Sequence, residues 1–154
     1  MRKVASLLQN LINQLKEFQG LKRKSALNNL LKVFNLEDYD DAGLLRVGDC
    51  KIVITTDGIV ESIVEDAPWK AGYYSVIANV NDIVAKGGKP LGYFNVISSN
   101  SSKIRKKLAE GIKFGLEKYR LKLLKGHVNP DTPFHIIDAG VVGVVRNFLQ
   151  SSTA

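Results

Sequence analysis

Several acidic and amide side chains stand where oxygen-ligand chemistry can use them. Asp38, Asp40 and Asp41 crowd one short acidic stretch, Leu36 to Gly43. Neighbouring carboxylates repel, and a cation relieves that repulsion. Magnesium suits such a place, because it takes hard oxygen ligands, often one or two carboxylates completed by phosphate oxygens and water. On this stretch alone, a solvated acidic loop explains the residues as well. Asp57 stands at the carboxy end of the apolar run Ile52-Val53-Ile54 with Thr55-Thr56, and Gly58 follows it. A strand end holds a carboxylate rigidly, and glycine lets the backbone turn beside it. A turn-initiating Asx residue is the alternative. Asn79 and Asp82 are spaced i, i+3, so on a helix they share a face. Ile77, Val80, Ile83 and Val84 around them are core-like. Polar oxygens bordering so apolar a helix need partners or they cost stability. A buried polar network supplies them, or a metal does, and Asp57 on its strand end favours the metal. Gly126 and His127 open a stretch rich in turn residues that runs to Pro133. His127 alone reads equally as a polar loop residue. Gly140-Val141-Val142-Gly143 is not a phosphate loop, since its residues are strand-like and no lysine follows.

The elements that must position these groups follow from periodicity. Val4 to Phe18 carries apolar residues at helical spacing, Leu7, Leu8, Leu11, Ile12 and Leu15 among them, with Gly20 as a stop. A second helix is expected over 22–34, with Ser25 as an alternative N-cap that leaves Lys22-Arg23-Lys24 in the joint. Leu44 to Val47 and Lys51 to Thr56 read as strands around a Gly48-Asp49 turn, a hairpin. Ala71 to Lys86 reads as a helix stopped by Gly87-Gly88 with Pro90 beyond. Leu91 to Ile97 is a strand, and Ser101 or Ser102 caps a helix over 104–121. Leu123-Leu124 is a brief strand, 125–133 a loop, and His135 to Val145 a buried strand. Few strands, some antiparallel, covered by helices predict an α+β fold.

The chain has 154 residues, 45% apolar and 24% charged, which suits one domain with a real core. The single cysteine excludes an intrachain disulfide, and with two histidines it cannot build a Cys/His zinc site. Cys50 is expected to be a half-buried strand residue. No apolar run approaches a membrane span, and no signal-peptide core is present, so the expected location is cytoplasmic. Net charge is +7. Lys103, Arg105, Lys106, Lys107, Lys113, Lys118, Arg120, Lys122 and Lys125 concentrate in and after the fourth helix. Interleaved aromatics would favour nucleic acid, but only Phe114 and Tyr119 occur there, so a solvated face is the preferred explanation.

Taken in order, the clusters resemble the AIR (aminoimidazole ribonucleotide) synthase-like, or PurM-like, superfamily. Asp40-Asp41-Ala42-Gly43 matches its Asp-Asp pair, and Thr55-Thr56-Asp57 its strand end. Asn79 through Asp82 to Gly87-Gly88-Lys89-Pro90 matches its Asn-x-x-Asp helix with a Gly-x-x-Pro exit. Gly126-His127-Val128 and Asp138 to Gly143 match in part a glycine-threonine loop ahead of a glycine-bearing strand. The pattern looks like thiamine monophosphate kinase, selenophosphate synthetase and the archaeal methanogenesis marker protein 2 group. The resemblance implies an amino-terminal helical segment, 1–36, packed on an AIR synthase-like amino-terminal domain, 37–149, and a frayed tail, 150–154. It implies ATP and Mg2+ as cofactors. Asp40, Asp41, Asp57 and Asp82 would be metal ligands, with Asn79, Gly126 and His127 joining them around the nucleotide phosphates. The activity implied is that of an ATP-dependent kinase or synthase acting on a small molecule. A homodimer is implied, formed by joining two sheets into a barrel. Relatives continue into a carboxy-terminal domain, so the resemblance also implies that a missing domain or a separate chain completes the cleft. Two departures stand out: Tyr39 precedes the Asp pair where relatives carry glycine, and Lys125-Gly126-His127-Val128 lacks a glycine and the threonine.

Overall fold

The computed structural model of the chain describes residues 2–18, 27–36 and 40–150. Gly20, the basic joint, Ser25, Asp38 and Tyr39 lie outside the described residues. Two compact units divide the chain, Met1–Tyr39 and Asp40–Ala154. The first holds helices α1 (Arg2–Glu17) and α2 (Leu27–Phe34).

The second is an α+β domain. Its elements are β1 (Gly43–Val47), β2 (Cys50–Ile59), α3 (Glu61–Asp66), α4 (Pro68–Ala85), β3 (Lys89–Ser98), α5 (Ser102–Tyr119), β4 (Lys122–Asn129) and β5 (Ile136–Val144). They form one five-stranded sheet in the order β1-β2-β5-β3-β4. β1 and β2 make the expected antiparallel hairpin, with Gly48 at φ 56 in its turn, a conformation that suits glycine. β5 runs antiparallel between β2 and β3, and β4 lies parallel to β3. The parallel pair β3–β4 needs a crossover connection, and α5 supplies it. The expected loop over 125–133 is corrected here, because β4 extends through Asn129. Its Lys-Leu-Leu-Lys-Gly-His pattern lacks clean alternation, and every residue in it is exposed on this edge strand.

Alternation decides what each strand contributes. Val53 and Thr55 on β2, Ile137, Ala139 and Val141 on β5, and Tyr93 and Ile97 on β3 are buried beneath the helices. The opposite face is open: Leu45, Ile54, Val96 and Val144 stay 37 to 51% exposed. Cys50 is also exposed rather than half-buried, because it sits at the hairpin turn at the start of β2. Helix α5 begins at Ser101, whose Oγ accepts from the Ile104 amide at 3.3 Å.

The helix layer is held by a close crossing of α4 on α5. A Cβ on Gly111 would run into the Trp69 carbonyl oxygen, and one on Gly72 into that of Leu108. Backbone on both sides leaves no room to yield. Overpacking of this kind costs about 1–3 kcal/mol. We therefore expect Gly111→Ala to lower the unfolding free energy by that amount, read as a lower urea midpoint at unchanged slope. A midpoint equal to wild type would show that the crossing tolerates separation.

Candidate functional site

The acidic face is assembled from three places in the chain. β2 presents Thr55 and then Asp57 on its helix-covered side, because residues two apart share a face. Helix α4 carries Asn79, Asp82 and Lys86 at i, i+3 and i+7, one stripe directed at the same place. The segment entering β1 brings Asp40 and Asp41.

Thr55, 4% exposed, joins all three. Its Oγ1 lies 2.9 Å from the Asp41 carbonyl oxygen and 3.0 Å from Asp82 Oδ2. A hydroxyl has one proton, so it cannot donate to both acceptors at once. Protonation of Asp82 resolves the conflict, since the carboxyl then donates to Thr55 and Thr55 donates to Asp41. The Asp82 carboxyl is pushed up to about 6. Burial is the largest cause; the Thr55 hydrogen bond opposes it, while the charge and hydrogen bond of Asp57 and the charge of Asp41 reinforce it.

The other end of the face is held by Lys86. Its ammonium pairs with Asp40 Oδ1 at 2.5 Å and with Asp41 Oδ2 at 3.7 Å. Asp40 Oδ1 also accepts from the Asp41 amide at 2.8 Å, which fixes the loop. Asn79 is fully buried; its Nδ2 donates to the Ser75 carbonyl at 2.9 Å, while Oδ1 is a buried acceptor without a hydrogen-bond partner among the described residues. Ser75 continues inward to Tyr93, hydroxyl to hydroxyl at 2.7 Å. Burial pushes the Tyr93 phenol up to about 12, against the hydrogen bonds of Ser75 and Asn95.

Asp40, Asp41, Asp57 and Asp82 therefore fall on one side of the domain, with Asn79 on the same helix stripe. Among the described residues no three Asp, Glu, His or Cys side chains form a metal-ligand cluster by themselves. Gly126 and His127 are placed elsewhere. Asp57 pairs with Ala139, Ala139 with Asn95, and Asn95 with Gly126, so Gly126 lies three strands across the sheet. At ~4.8 Å per strand that is roughly 14 Å. His127 pairs with Val96 on the open face, and its Nε2 meets Asn129 Oδ1 at 3.0 Å. Thr55 and Lys86 went unselected in the sequence, although Lys86 stands i+4 from Asp82 and Thr55 two residues before Asp57.

The larger cavities lie away from these groups. One of about 600 Å³ runs between α5 and the β3–β4 edge, and one of about 560 Å³ is bordered by Lys51, Lys89 and Arg146. Neither is lined by the four aspartates. Three of the basic side chains are engaged within the domain: Lys107 pairs with Glu110 at 2.7 Å, Arg105 bonds the Ser99 carbonyl at 2.6 Å, and Lys118 bonds the Tyr73 hydroxyl at 2.9 Å. Trp69 and Tyr73 of α4 add to the aromatics expected there, packing on Phe114 at 5.3 and 5.5 Å. No helix among the described residues is long and apolar enough to cross a membrane.

A mostly antiparallel sheet with helices on one face and carboxylates at its edge defines a PurM-like amino-terminal domain. The chain belongs to the AIR synthase related family: the model of that family's N-terminal domain matches residues 39–145. It is 34% identical to an uncharacterised protein of Methanocaldococcus jannaschii, over 96% of this chain and 50% of that protein. It is 36% identical to the thiamine-monophosphate kinase of Pyrococcus horikoshii, over 75% of this chain and 39% of the kinase. A selenide, water dikinase of Clostridioides difficile is 30% identical, over 87% of this chain and 39% of the dikinase. Among solved structures, AaThiL complexed with AMPPCP and TMP superposes with a TM-score of 0.73 at 20% identity, over 81% of this chain and 42% of that one. T. maritima PurL complexed with ATP gives 0.61 at 16%, over 69% and 20%. The chain spans about half the length of the curated relatives it matches, or less.

The raised Asp82 carboxyl sets a pH dependence. Its native form holds a proton that the unfolded chain releases at the ordinary carboxylate value, so stability falls as pH rises from there to about 6. We expect Asp82→Asn to flatten this limb in metal-free urea melts recorded across that range. Parallel profiles for the variant and wild type would show that Asp82 ionises without strain.

Proposed function

We propose that residues 40–150 are the nucleotide-and-magnesium-holding half of an ATP-dependent enzyme. The enzyme would pass a phosphoryl group to a small molecule or use ATP to activate one. The observation that carries this reading is the Thr55 hydroxyl set between the Asp41 carbonyl and the Asp82 carboxyl, with the buried Asn79 Oδ1, which has no partner among the described residues, a helical turn away. Burial first, and then the charges of Asp57 and Asp41, push the Asp82 carboxyl up, and a divalent cation relieves the charge repulsion. The donors are hard oxygens, as magnesium requires. Asp57 and Asp82 would hold the ion, Asn79 and Asp41 border it, and Asp40 anchors the loop. Magnesium supplies neutralisation of charge on the phosphoryl oxygens, where phosphoryl transfer needs it. The chain's own part is orientation, with Thr55 aiming the Asp82 carboxyl. Among the described residues no three acidic side chains cluster as ligands, so phosphate oxygens and water would complete the shell. The ATP and AMPPCP complexes of the structural neighbours support the nucleotide.

The rest of a full-length relative, or a separate chain, would wall the cleft. The open sheet face supports a homodimer in which two sheets close into a barrel, since apolar strand faces such as Ile54 and Val96 are seldom left in water. That exposed face also favours a second reading, a dimeric cytoplasmic module that keeps the fold without turnover; hydrolysis by the purified chain would contradict it.

Calorimetric titration with a non-hydrolysable ATP analogue tests the site. Binding is expected only with magnesium, and Asp57→Asn is expected to weaken it at least tenfold. Equal binding by the variant removes the assignment. Sedimentation velocity tests the barrel: Val96→Lys is expected to convert a dimer to monomers, and a variant that stays dimeric places the contact elsewhere.

A further inference from the structure

One cation is already built into the acidic face. The Lys86 side chain is 3% exposed, far less than a lysine ordinarily is. A buried ammonium is tolerated only when it is paired. Its described partners are Asp40 and Asp41, at 2.5 and 3.7 Å. Its backbone is fixed as well, because the Lys86 amide donates to the Asp82 carbonyl and its carbonyl accepts from Leu149. The ammonium therefore sits at a set place, one helical turn beyond Asp82.

The two ends of the face differ in consequence. At the Asp40–Asp41 end, negative charge is met by the lysine. At the Asp57–Asp82 end no lysine or arginine among the described residues pairs with either carboxyl; the Thr55 hydroxyl lies 3.0 Å from Asp82 Oδ2, and the buried Asn79 Oδ1, without a partner among the described residues, stands on the same helix stripe.

We propose that Lys86 is a resident counter-cation for the Asp40–Asp41 end, so that a divalent ion enters only at the Asp57–Asp82 end and only together with the nucleotide's phosphates. This rests on the reading of the face as a magnesium–nucleotide site. Lys86 acts as a positioning residue. It fixes the entry to β1 against α4, so the Asp41 carbonyl stays within reach of Thr55 and Thr55 stays aimed at Asp82. It also withholds Asp40 from a metal. Two carboxyls without a third remain a weak site for a bare ion, which phosphate oxygens must complete.

The test uses Mn2+ alone, followed by the loss of the free-ion paramagnetic resonance signal, on the full chain without nucleotide. Wild type should bind weakly. Lys86→Met takes the ammonium away from Asp40 and Asp41, so it should bind Mn2+ at least tenfold more tightly, and its lowered melting temperature should recover on adding Mn2+. Tight Mn2+ binding by wild type, or no gain in Lys86→Met, overturns the proposal. The double variant Asp40→Asn with Lys86→Met removes ammonium and carboxylate together, and serves if the single variant does not fold. It should melt close to wild type and keep weak Mn2+ binding; a double variant with tenfold tighter binding, or one that fails to fold, overturns the proposal. Asp57→Asn, titrated with analogue and magnesium, separates the two ideas. Unchanged binding there removes the nucleotide site, whereas Mn2+ uptake by Lys86→Met without nucleotide reports on Lys86 itself.

Discussion

Everything at the acidic face depends on how α4 lies across the sheet. The helix packs on β2, β5 and β3 through Ala71, Val76, Val80 and Ile83, all nearly inaccessible to water. Its other side is pressed against α5 at glycine positions where no side chain fits. With both sides committed, its rotation about its own axis is fixed. One stripe remains, bearing Asn79, Asp82 and Lys86, and it must meet the edge where β2 ends and β1 begins. A helix free to roll by even one residue would point an apolar side chain there. The chemistry is thus set by apolar packing, and the polar groups accept the positions that packing leaves them.

That arrangement explains why strained electrostatics persist at this edge. Burial raises Asp82, Thr55 has one proton for two acceptors, and Asn79 keeps an acceptor unpaired. Each of these costs stability, and none would survive if the carboxylates were free to swing into water. The core is large enough to hold them. Lys86 limits the cost at one end and leaves the rest in place. Sites at which local rules are broken against a well-packed background are where binding is expected to act.

Much of this was legible in the chain. The Asn79 and Asp82 spacing on an otherwise apolar helix marked the stripe, and the Thr-Thr-Asp run marked the opposing residue, although β2 continues through Gly58 to Ile59, so Asp57 lies inside the strand and not at its end. The hairpin, the Ser101 cap and the glycine stop after α4 all follow local chemistry that tertiary packing had no reason to override. Edge strand β4 was harder. It lacks alternation because neither of its faces is well covered, so only pairing with β3 makes it a strand. Helix α3 is six residues long, too short for a period to show. Lys86 was hidden by its position: lysine at the last turn of a helix is ordinary on dipole grounds, and nothing local says that it turns inward. Its partners lie 45 and 46 positions earlier in the chain, and only the fold brings them together.

Sheet pairing also separates what sequence order had grouped. Gly126 and His127 were placed with the aspartates because relatives use a loop there, yet three strand spacings intervene within one chain. His127 instead faces the open side of the sheet, the side on which Ile54, Val96 and Val144 lack cover. The domain thus has two unlike faces on opposite sides of one sheet. The helix-covered side ends in fixed carboxylates that suit a cation and phosphates. The open side is apolar, with a polar patch of His127, Asn129 and Ser98 at one end. A residue on the open side can take part in chemistry only where another chain or domain is brought against it. The same burial rule that fixes α4 over one face therefore marks the other, where Ile54, Val96 and Val144 stay exposed, as the unsatisfied one.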